Sequence, residues 1–500
     1  MFGQITSTVI LAVSSIFLAR FLGADQYGVY TIVLIPVAIM FLIQDLGTSP
    51  AFIRFCAMYR HEERPGDLRE VIKTGLIFVS LTSMALSVAL YLSSGIIASA
   101  FLRRPELEYL VKTSSFAVFG SGLYGAIQSI FVGNERMGLR SIIDVFWALS
   151  KSVIMVSLVL IGLGAGGAVL SNVIGYLMTG LLGIILIIIY IRPRRDSQSQ
   201  SGSHTLGLML AYGLPAYAGS LLSGGLTQWY NSLMTLNVST TLIGNYSAAS
   251  NFGVLVGFII MPIGTTLFPL FSRLRRDDPQ LALIFRKAVK YTTLVTIPVM
   301  TLLILVSGPL TRIIYGGNYT YVAFYLSLYL LGYSFEGLGG TSLTNFIMGM
   351  GESKVIFLMN AATLLLGVPL ALILIPRFQI IGLIATSLIA PRIGWLIGYA
   401  WVRKKFGITV GWLSSARIYL CSAVSFVVGY LALNLLHVTG WVALVAGSAI
   451  FFTFYLMALP LSRTLSRKDL DDLRVIAKTT GPLDPVIGVI LSLLERFTRV

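Results

Sequence analysis

Apolar runs of about twenty residues succeed one another along the whole chain, separated by polar, glycine or proline breaks. Fourteen can be delimited: 4–22, 28–53, 71–99, 109–132, 141–162, 167–191, 206–233, 241–269, 288–307, 321–349, 355–375, 380–402, 413–436 and 440–462. Each is long enough to cross a hydrocarbon core of about 30 Å. No water is available there to satisfy backbone amides, so each crossing must be a helix. The pattern predicts an all-α polytopic membrane protein with fourteen transmembrane helices. The second, eighth and tenth runs exceed the ~20 residues a crossing needs, which predicts tilt, kinks or ends projecting into water.

Composition agrees. Hydrophobic residues make up 56% of the chain and charged ones 11%, with a mean hydropathy of +0.86, whereas soluble proteins carry about 25% charged residues. Two cysteines, Cys56 and Cys421, exclude a disulfide framework and a cysteine-rich metal site. His61, His204 and His437 all fall in connections, and no G-x-x-x-x-G-K-[ST] occurs, so neither a metal nor ATP hydrolysis is expected and no cofactor is implied. The first run, Ile5–Leu22, lacks a small-residue cleavage site and reads as a span rather than a signal peptide.

The net charge of +16 suggests nucleic acid until it is located. With the N-terminus cytoplasmic, the inward connections hold 28 of the 36 basic residues and the outward side holds six. Lys151 and Arg392 remain inside spans. That asymmetry places both termini in the cytoplasm of a cell whose plasma membrane the chain crosses, and it turns the charge into topology and attraction for anionic lipid. The outward loops are short, the longest being Gly308–Thr320. The 192–205 connection reads as a flexible linker. It separates an N-lobe (1–191) from a C-lobe (206–402), followed by two further spans (413–462) and a tail (463–500) whose Ile487, Ile490, Leu491, Leu494 and Phe497 fit an amphipathic helix on the inner leaflet. A docking site for biosynthetic enzymes is the alternative reading of that tail.

Weak self-similarity brackets the linker. Leu18–Tyr30 lies against Thr241–Ala249, Leu46–Phe55 against Ile263–Leu274, and GNERMG (133–138) against MGESKV (350–355), pairing Glu135 with Glu352 at an offset of 217. Gly166 and Gly167 match Gly382 at a similar offset. Six spans per copy is an even number, so both copies enter from the same side and should form parallel six-helix lobes around a cavity.

These stretches also resemble a known family. LARFLGADQYGVY, LIQDLGTSPAFIRF, the basic connection after it and GNERMG are similar to the polysaccharide-exporter branch of the multidrug/oligosaccharidyl-lipid/polysaccharide (MOP) superfamily, the O-antigen-type flippases. The resemblance implies two six-helix bundles that move a polyprenyl-linked oligosaccharide from the cytoplasmic to the outer leaflet.

Ionisable side chains within apolar runs are costly and usually face a cavity or one another. Five qualify: Asp45, Asp144, Lys151, Glu336 and Arg392, with Lys151 and Arg392 near the midplane. Asp144 and Lys151 are seven apart on one helix, with Trp147 between them on the same face. A buried ion pair is the structural reading and an anion-binding lysine the functional one. Arg392 has no acidic neighbour on its own helix. Arg54 ends the second run at the inner face, where a phosphate head group would first meet bidentate donors. Arg20, beside Gly23 and Asp25, reads as a helix-end cation or as a phosphate contact. Gln128, Gln228, Trp229, Asn231 and Asn251 supply groups that hydrogen-bond and stack on sugars. Substrate contact is therefore expected from Arg54, Lys151, Arg392, Arg20, Gln128, Trp229 and Asn231, and ion coupling or charge pairing from Asp45, Asp144 and Glu336.

Other motifs carry less. Gly120-Ser-Gly-Leu-Tyr-Gly125 matches G-x-G-x-x-G inside an apolar span without a preceding strand, which favours close helix packing over dinucleotide binding, as do Gly253/Gly257 and Gly394/Gly398. Asn237-Val-Ser and Asn318-Tyr-Thr are sequons in predicted outward loops. Among competing functions, a cation-coupled drug exporter of the same superfamily would use Asp45 and Glu336, but midspan cations repel a cationic drug. A membrane glycosyltransferase or ligase needs acidic groups in a sizeable outward loop. A major-facilitator transporter would carry G-x-x-x-D-R/K in the 54–73 connection, which is absent. The expected partners are a lipid-linked oligosaccharide and membrane lipids, and not nucleic acid.

Overall fold

A computed structural model describes residues 2–191, 202–276, 278–466, 469–472, 474 and 488. All but one residue of the predicted tail helix over 487–497, and most of the linker, lie outside them. The described residues are helical throughout and contain no strand. In order they form α1 (Phe2–Gln44), α2 (Thr48–His61), α3 (Pro65–Leu92), the short turn α4 (Ser94–Ile96), α5 (Glu108–Gly133), α6 (Met137–Leu158), α7 (Gly164–Tyr190), α8 (Gly202–Asn237), α9 (Thr240–Ser250), α10 (Gly253–Ser272), α11 (Leu281–Leu305), α12 (Ser307–Tyr315), α13 (Val322–Leu330), α14 (Gly340–Gly349), α15 (Ser353–Phe406), α16 (Trp412–Leu435) and α17 (Gly440–Leu461). Among the described residues eight helices are long and apolar enough to cross a membrane, or up to ten when two bent pairs each count as one span. This is a multi-pass membrane protein.

The breaks have local causes. α1 is interrupted at Gly23 (φ 71°, ψ 171°), the α6–α7 run at Gly162 (φ 97°) and Gly164 (φ 52°), and α15 at Gln379 (φ 53°, ψ −125°). The first two use residues without a Cβ, for which positive φ carries little strain. Each falls where the apolar pattern places an outward turn. The second apolar run, 28–53, is broken as well. Gly47 takes φ 81°, and the Asp45 carboxylate accepts the Ser49 amide (2.9 Å) and the Thr48 hydroxyl (3.0 Å), starting α2 afresh. The tenth run breaks likewise at Gly339 (φ 88°), where Glu336 accepts the Thr341 amide (2.9 Å) and hydroxyl (3.0 Å) at the start of α14. In both, a carboxylate satisfies helix-start donors that the membrane would leave stranded.

Helix boundaries recur at a shift of 216 residues: Pro65 and Leu281 begin α3 and α11, Met137 and Ser353 begin α6 and α15, and Tyr190 and Phe406 end α7 and α15. The turns agree in backbone. Asn134, Glu135 and Arg136 have φ −87°, 54° and −93°, and Met350, Gly351 and Glu352 have φ −77°, 76° and −96°.

The chain divides into two compact units, Met1–Asn251 with Thr363–Thr386, and Phe252–Ala362 with Ser387–Val500. In the first, Phe52, Ile127, Ile130 and Phe131 centre a core shared by α2, α3, α5 and α8. In the second, the Phe346 ring meets those of Phe271 and Phe285 edge to face, both at 5.2 Å. A separate cluster docks α16 and α17 on α11, where the Tyr455 hydroxyl donates to the Leu294 carbonyl (3.0 Å). Large apolar side chains such as Leu81, Ile161 and Leu365 point outward. Between helices lie small residues, as membrane packing requires. A Cβ on Gly120 would come within 2.8 Å of the Tyr176 Cβ, and one on Gly122 would strike Ser83. Gly120 and Gly122 thus serve helix packing, whereas Gly125 meets nothing within 4 Å.

Candidate functional site

In the first unit α5, α6 and α7 bring together a polar and aromatic cluster. The Asp144 carboxylate accepts the Tyr124 hydroxyl (3.1 Å) and the Gln128 amide, and Arg140 lies 3.9 Å away one turn earlier on α6. Trp147 packs in a triangle with the rings of Tyr124 (5.3 Å) and Tyr176 (5.2 Å), which are themselves 5.8 Å apart, and Phe41 meets Tyr176 edge-on. Its indole N–H is buried without a hydrogen-bond partner. The Lys151 ammonium stands 5.4 Å from the Trp147 ring.

The expected Asp144–Lys151 pair is therefore not formed. Seven residues put about 10 Å of helix axis between the two positions, against about 6 Å for Arg140 and Asp144, and the Trp147 indole fills the interval. Among the described residues Lys151 has no carboxylate partner. α6 and α7 meet tightly beside it, since a Cβ on Gly175 would sit 3.1 Å from the Lys151 Cβ.

The remaining candidates of this unit are spread along it. Arg54 is exposed on α2, its Cζ 4.2 Å from the Tyr212 ring of α8 and 5.9 Å from Phe55. Arg20 is exposed in the turn before the Gly23 break, and Asp25 accepts the Thr241 hydroxyl (3.3 Å). Trp229 is exposed on α8, and the Asn231 amide donates to Gln228 (3.4 Å). Asn251 donates to the Tyr27 hydroxyl (2.9 Å). Asp45 is engaged at the start of α2, as described above.

In the second unit the Arg392 guanidinium lies over the Phe335 ring, its Cζ 3.3 Å from the centroid, and Nη2 donates to the Gly332 carbonyl (3.4 Å). Phe335 abuts Trp395 (5.6 Å), which stacks on Tyr399 at 5.1 Å and 4°. The Trp395 indole N–H is buried and unpartnered. Glu336 is an electrostatic neighbour of Arg392, but no carboxylate among the described residues reaches ion-pair distance of it.

The turns that the basic-residue asymmetry assigns to the inner side carry their own ion pairs. Glu135 lies 3.7 Å from Arg60, and Glu352 accepts Arg276 (2.9 Å) and Lys405 (2.5 Å). Lys405 above all, with Arg276, holds the Glu352 carboxyl below the usual carboxylate range. Asp469 bonds Lys290 (2.7 Å) and Asp472 bonds Lys287. Burial alone would raise the Asp469 carboxyl, and its bonds to Lys290 and Ser466 outweigh that and lower it. Burial pushes the Cys56 thiol up to about 12, which leaves it unreactive.

Sequence reasoning missed Tyr124, Arg140, Tyr176, Tyr212 and Phe335. Arg140 had a readable signal, four residues from Asp144 on a predicted helix. The aromatic residues had none, because their role depends on which helix faces which.

An all-helical, multi-pass chain with an unpaired midspan ammonium and polar groups tucked between its helices belongs to the class of membrane transport proteins. The chain is a member of the polysaccharide biosynthesis protein family, whose sequence model matches residues 17–323. It is 24% identical over 393 residues to a protein assigned as an O-antigen transporter in Shigella flexneri, covering 76% of this chain and 91% of that one. Its fold resembles that of the lipid II flippase MurJ in an inward closed conformation (TM-score 0.73, 19% identity, 92% of this chain and 97% of that one). It also resembles an inward-facing multidrug resistance transporter of the MATE family within the MOP superfamily (TM-score 0.64, 14% identity, 80% and 95%).

Proposed function

We propose that this protein is a flippase, a transporter and not an enzyme, that carries a polyprenyl-(pyro)phosphate-linked oligosaccharide from the cytoplasmic to the outer leaflet by alternating access, for surface polysaccharide or glycoprotein biosynthesis. The observation that carries this reading is Lys151. An unpaired ammonium near the bilayer midplane costs roughly 2.5–3.5 kcal/mol, and the acid that could have neutralised it is committed to Tyr124, Gln128 and Arg140. An anionic head group removes that cost. A cationic drug would raise it, which argues against a multidrug exporter on the same fold.

Counting each broken helix as two spans, and α13 with α14 as one, gives fourteen crossings with both termini on one side, and the asymmetry of basic residues favours the cytoplasm for that side. The 216-residue recurrence supports two parallel six-helix lobes, 1–191 and 206–402, with α16 and α17 added. Arg54 meets the phosphate at the inner face, and Lys151 and Arg392 hold it at mid-depth. Gln128, Trp229 and Asn231 contact the sugars, and Arg20 receives the phosphate near the outer face. Asp45, Asp144 and Glu336 tune the charge balance while anchoring their helices. Enzymes of glycan assembly would dock at the cytoplasmic face.

The test is surface glycan in cells carrying Lys151→Ala with Arg392→Ala, with membrane protein quantified in parallel. Loss of glycan at normal protein level is expected. Normal glycan would remove the phosphate-holding role.

A further inference from the structure

At the cytoplasmic end of the first unit, α8 lies across α2 in a contact that no transport role yet explains. α8 packs on α1, α2 and α3. Gly47 and Gly213 touch backbone to backbone, so that a Cβ on either would strike the carbonyl of the other. One residue along, Tyr212 meets Phe55 edge to face (6.0 Å), and its ring receives the Arg54 guanidinium at 4.2 Å. Met209, a turn earlier, is buried against Phe52 and Gly75.

Two features set this contact apart from ordinary packing. By the 216-residue recurrence α8 belongs to the second copy of the repeat, while α2 belongs to the first, so alternating access must break it. Arg54 also makes no hydrogen bond among the described residues, and its side chain is exposed. Its face is spent on the Tyr212 ring, and its donor edges are unspent.

The geometry points to a phosphate-released clasp: Arg54 on Tyr212 holds the cytoplasmic entrance shut, and the phosphate group of an arriving lipid-linked substrate undoes it by binding the same guanidinium. This rests on the flippase reading above. A phosphate oxygen pair on the donor edge of Arg54 neutralises the charge that attracts the ring. The electron-rich face of Tyr212 then repels the bound anion. The Gly47–Gly213 contact, which has no side chain to interlock, separates without a steric barrier. Recognition and opening thus use one residue, and an entrance so built stays closed to lipids without a phosphate.

The clasp is tested by the rate at which a membrane-impermeant maleimide labels Met209→Cys in inside-out vesicles, with Cys56→Ala and Cys421→Ala as background. Tyr212→Ala should raise that rate about three- to tenfold, and Tyr212→Phe, which keeps the ring, should not. Gly213→Ala opens the contact without touching Arg54 or the ring, and should raise the rate similarly. Adding undecaprenyl pyrophosphate to the otherwise unaltered protein should raise the rate severalfold, and Arg54→Gln should abolish that response. Inorganic pyrophosphate acting alike assigns the trigger to the phosphate alone; action by the lipid form only assigns it to the membrane-embedded substrate. Unchanged labelling in both Tyr212→Ala and Gly213→Ala overturns the clasp, as does the absence of any response to either pyrophosphate. The labelling without pyrophosphate needs no transport, so the clasp and the flippase reading fail separately: the latter falls on normal surface glycan in the Lys151→Ala, Arg392→Ala strain.

Discussion

Lys151 and Asp144 share a face of α6 and do not meet, which changes what each substitution should do. Were they partners, Lys151→Ala would strand a buried carboxylate, and breaking a buried pair costs about 3–5 kcal/mol. Asp144 is instead held by Arg140, Tyr124 and Gln128. Lys151→Ala should therefore leave membrane abundance unchanged while abolishing surface glycan, and Asp144→Asn should not repair it. Tyr124→Phe should lower stability by about 1.5–3 kcal/mol through loss of one bond to a charged acceptor, read as a reduced melting temperature in detergent. An abundance loss in Lys151→Ala rescued by Asp144→Asn would restore the ion-pair reading. Arg392→Lys should recover export only in part, because an ammonium keeps the charge but loses the planar fork that stacks on Phe335.

Among the elements, the helix breaks and the ion-paired turns are where local chemistry is exposed to test. Gln379 sits at φ 53°, ψ −125°, a conformation suited to glycine. Gln379→Gly should stabilise the protein by about 1 kcal/mol, seen as a higher melting temperature. The α14–α15 turn carries a pH dependence. Glu352 has its carboxyl depressed by Lys405 and Arg276. Such a group contributes stability that is fully present above its unfolded value of about 4.3 and lost as pH falls through the lower folded value. Melting temperature in detergent should therefore stay level as pH is lowered to about 5 and decline below about 4. Glu352→Gln should decline less. It should not disappear, because Asp469 and Asp472, also depressed by their lysine partners, lose charge in the same range. Identical curves for both proteins would show that the turn's ion pairs contribute nothing.

For the whole molecule, the asymmetry of basic residues makes a topological prediction independent of any side-chain contact. Cysteines introduced at Ser199 and Ser466 should label only from the cytoplasm and one at Asn318 only from outside. The buried native thiols at Cys56 and Cys421 add little background. Labelling of Ser199 and Asn318 from one side would end the fourteen-span reading. The recurrence of helix boundaries at 216 residues predicts that an experimental structure will superpose residues 1–190 on 206–402 by rotation about the membrane normal. Superposition only after inversion would reject it.

The sequence by itself determined that the chain is all-helical and membrane-spanning, which family it resembles, and where three long helices break, at Gly23, Gly162 and Gln379 where predicted spans meet, whereas the breaks at Gly47 and Gly339 fall inside single predicted runs. Each of these follows from a rule that acts locally. Hydrocarbon forces every long apolar run into a helix, and the glycines at the ends of predicted spans mark positions where positive φ carries little strain, as at Gly23 and Gly162. The candidate cations were legible for the same reason, since charge within an apolar run stands out whatever surrounds it. What those cations touch was not legible. Trp147 separates Lys151 from Asp144, Tyr212 lies over Arg54, and Phe335 lies under Arg392. Tyr212 and Phe335 lie far along the chain from the cation they meet, on another helix. Apolar patterning carries no record of how far each helix is rotated about its own axis, and only the packing of one helix against the next decides it.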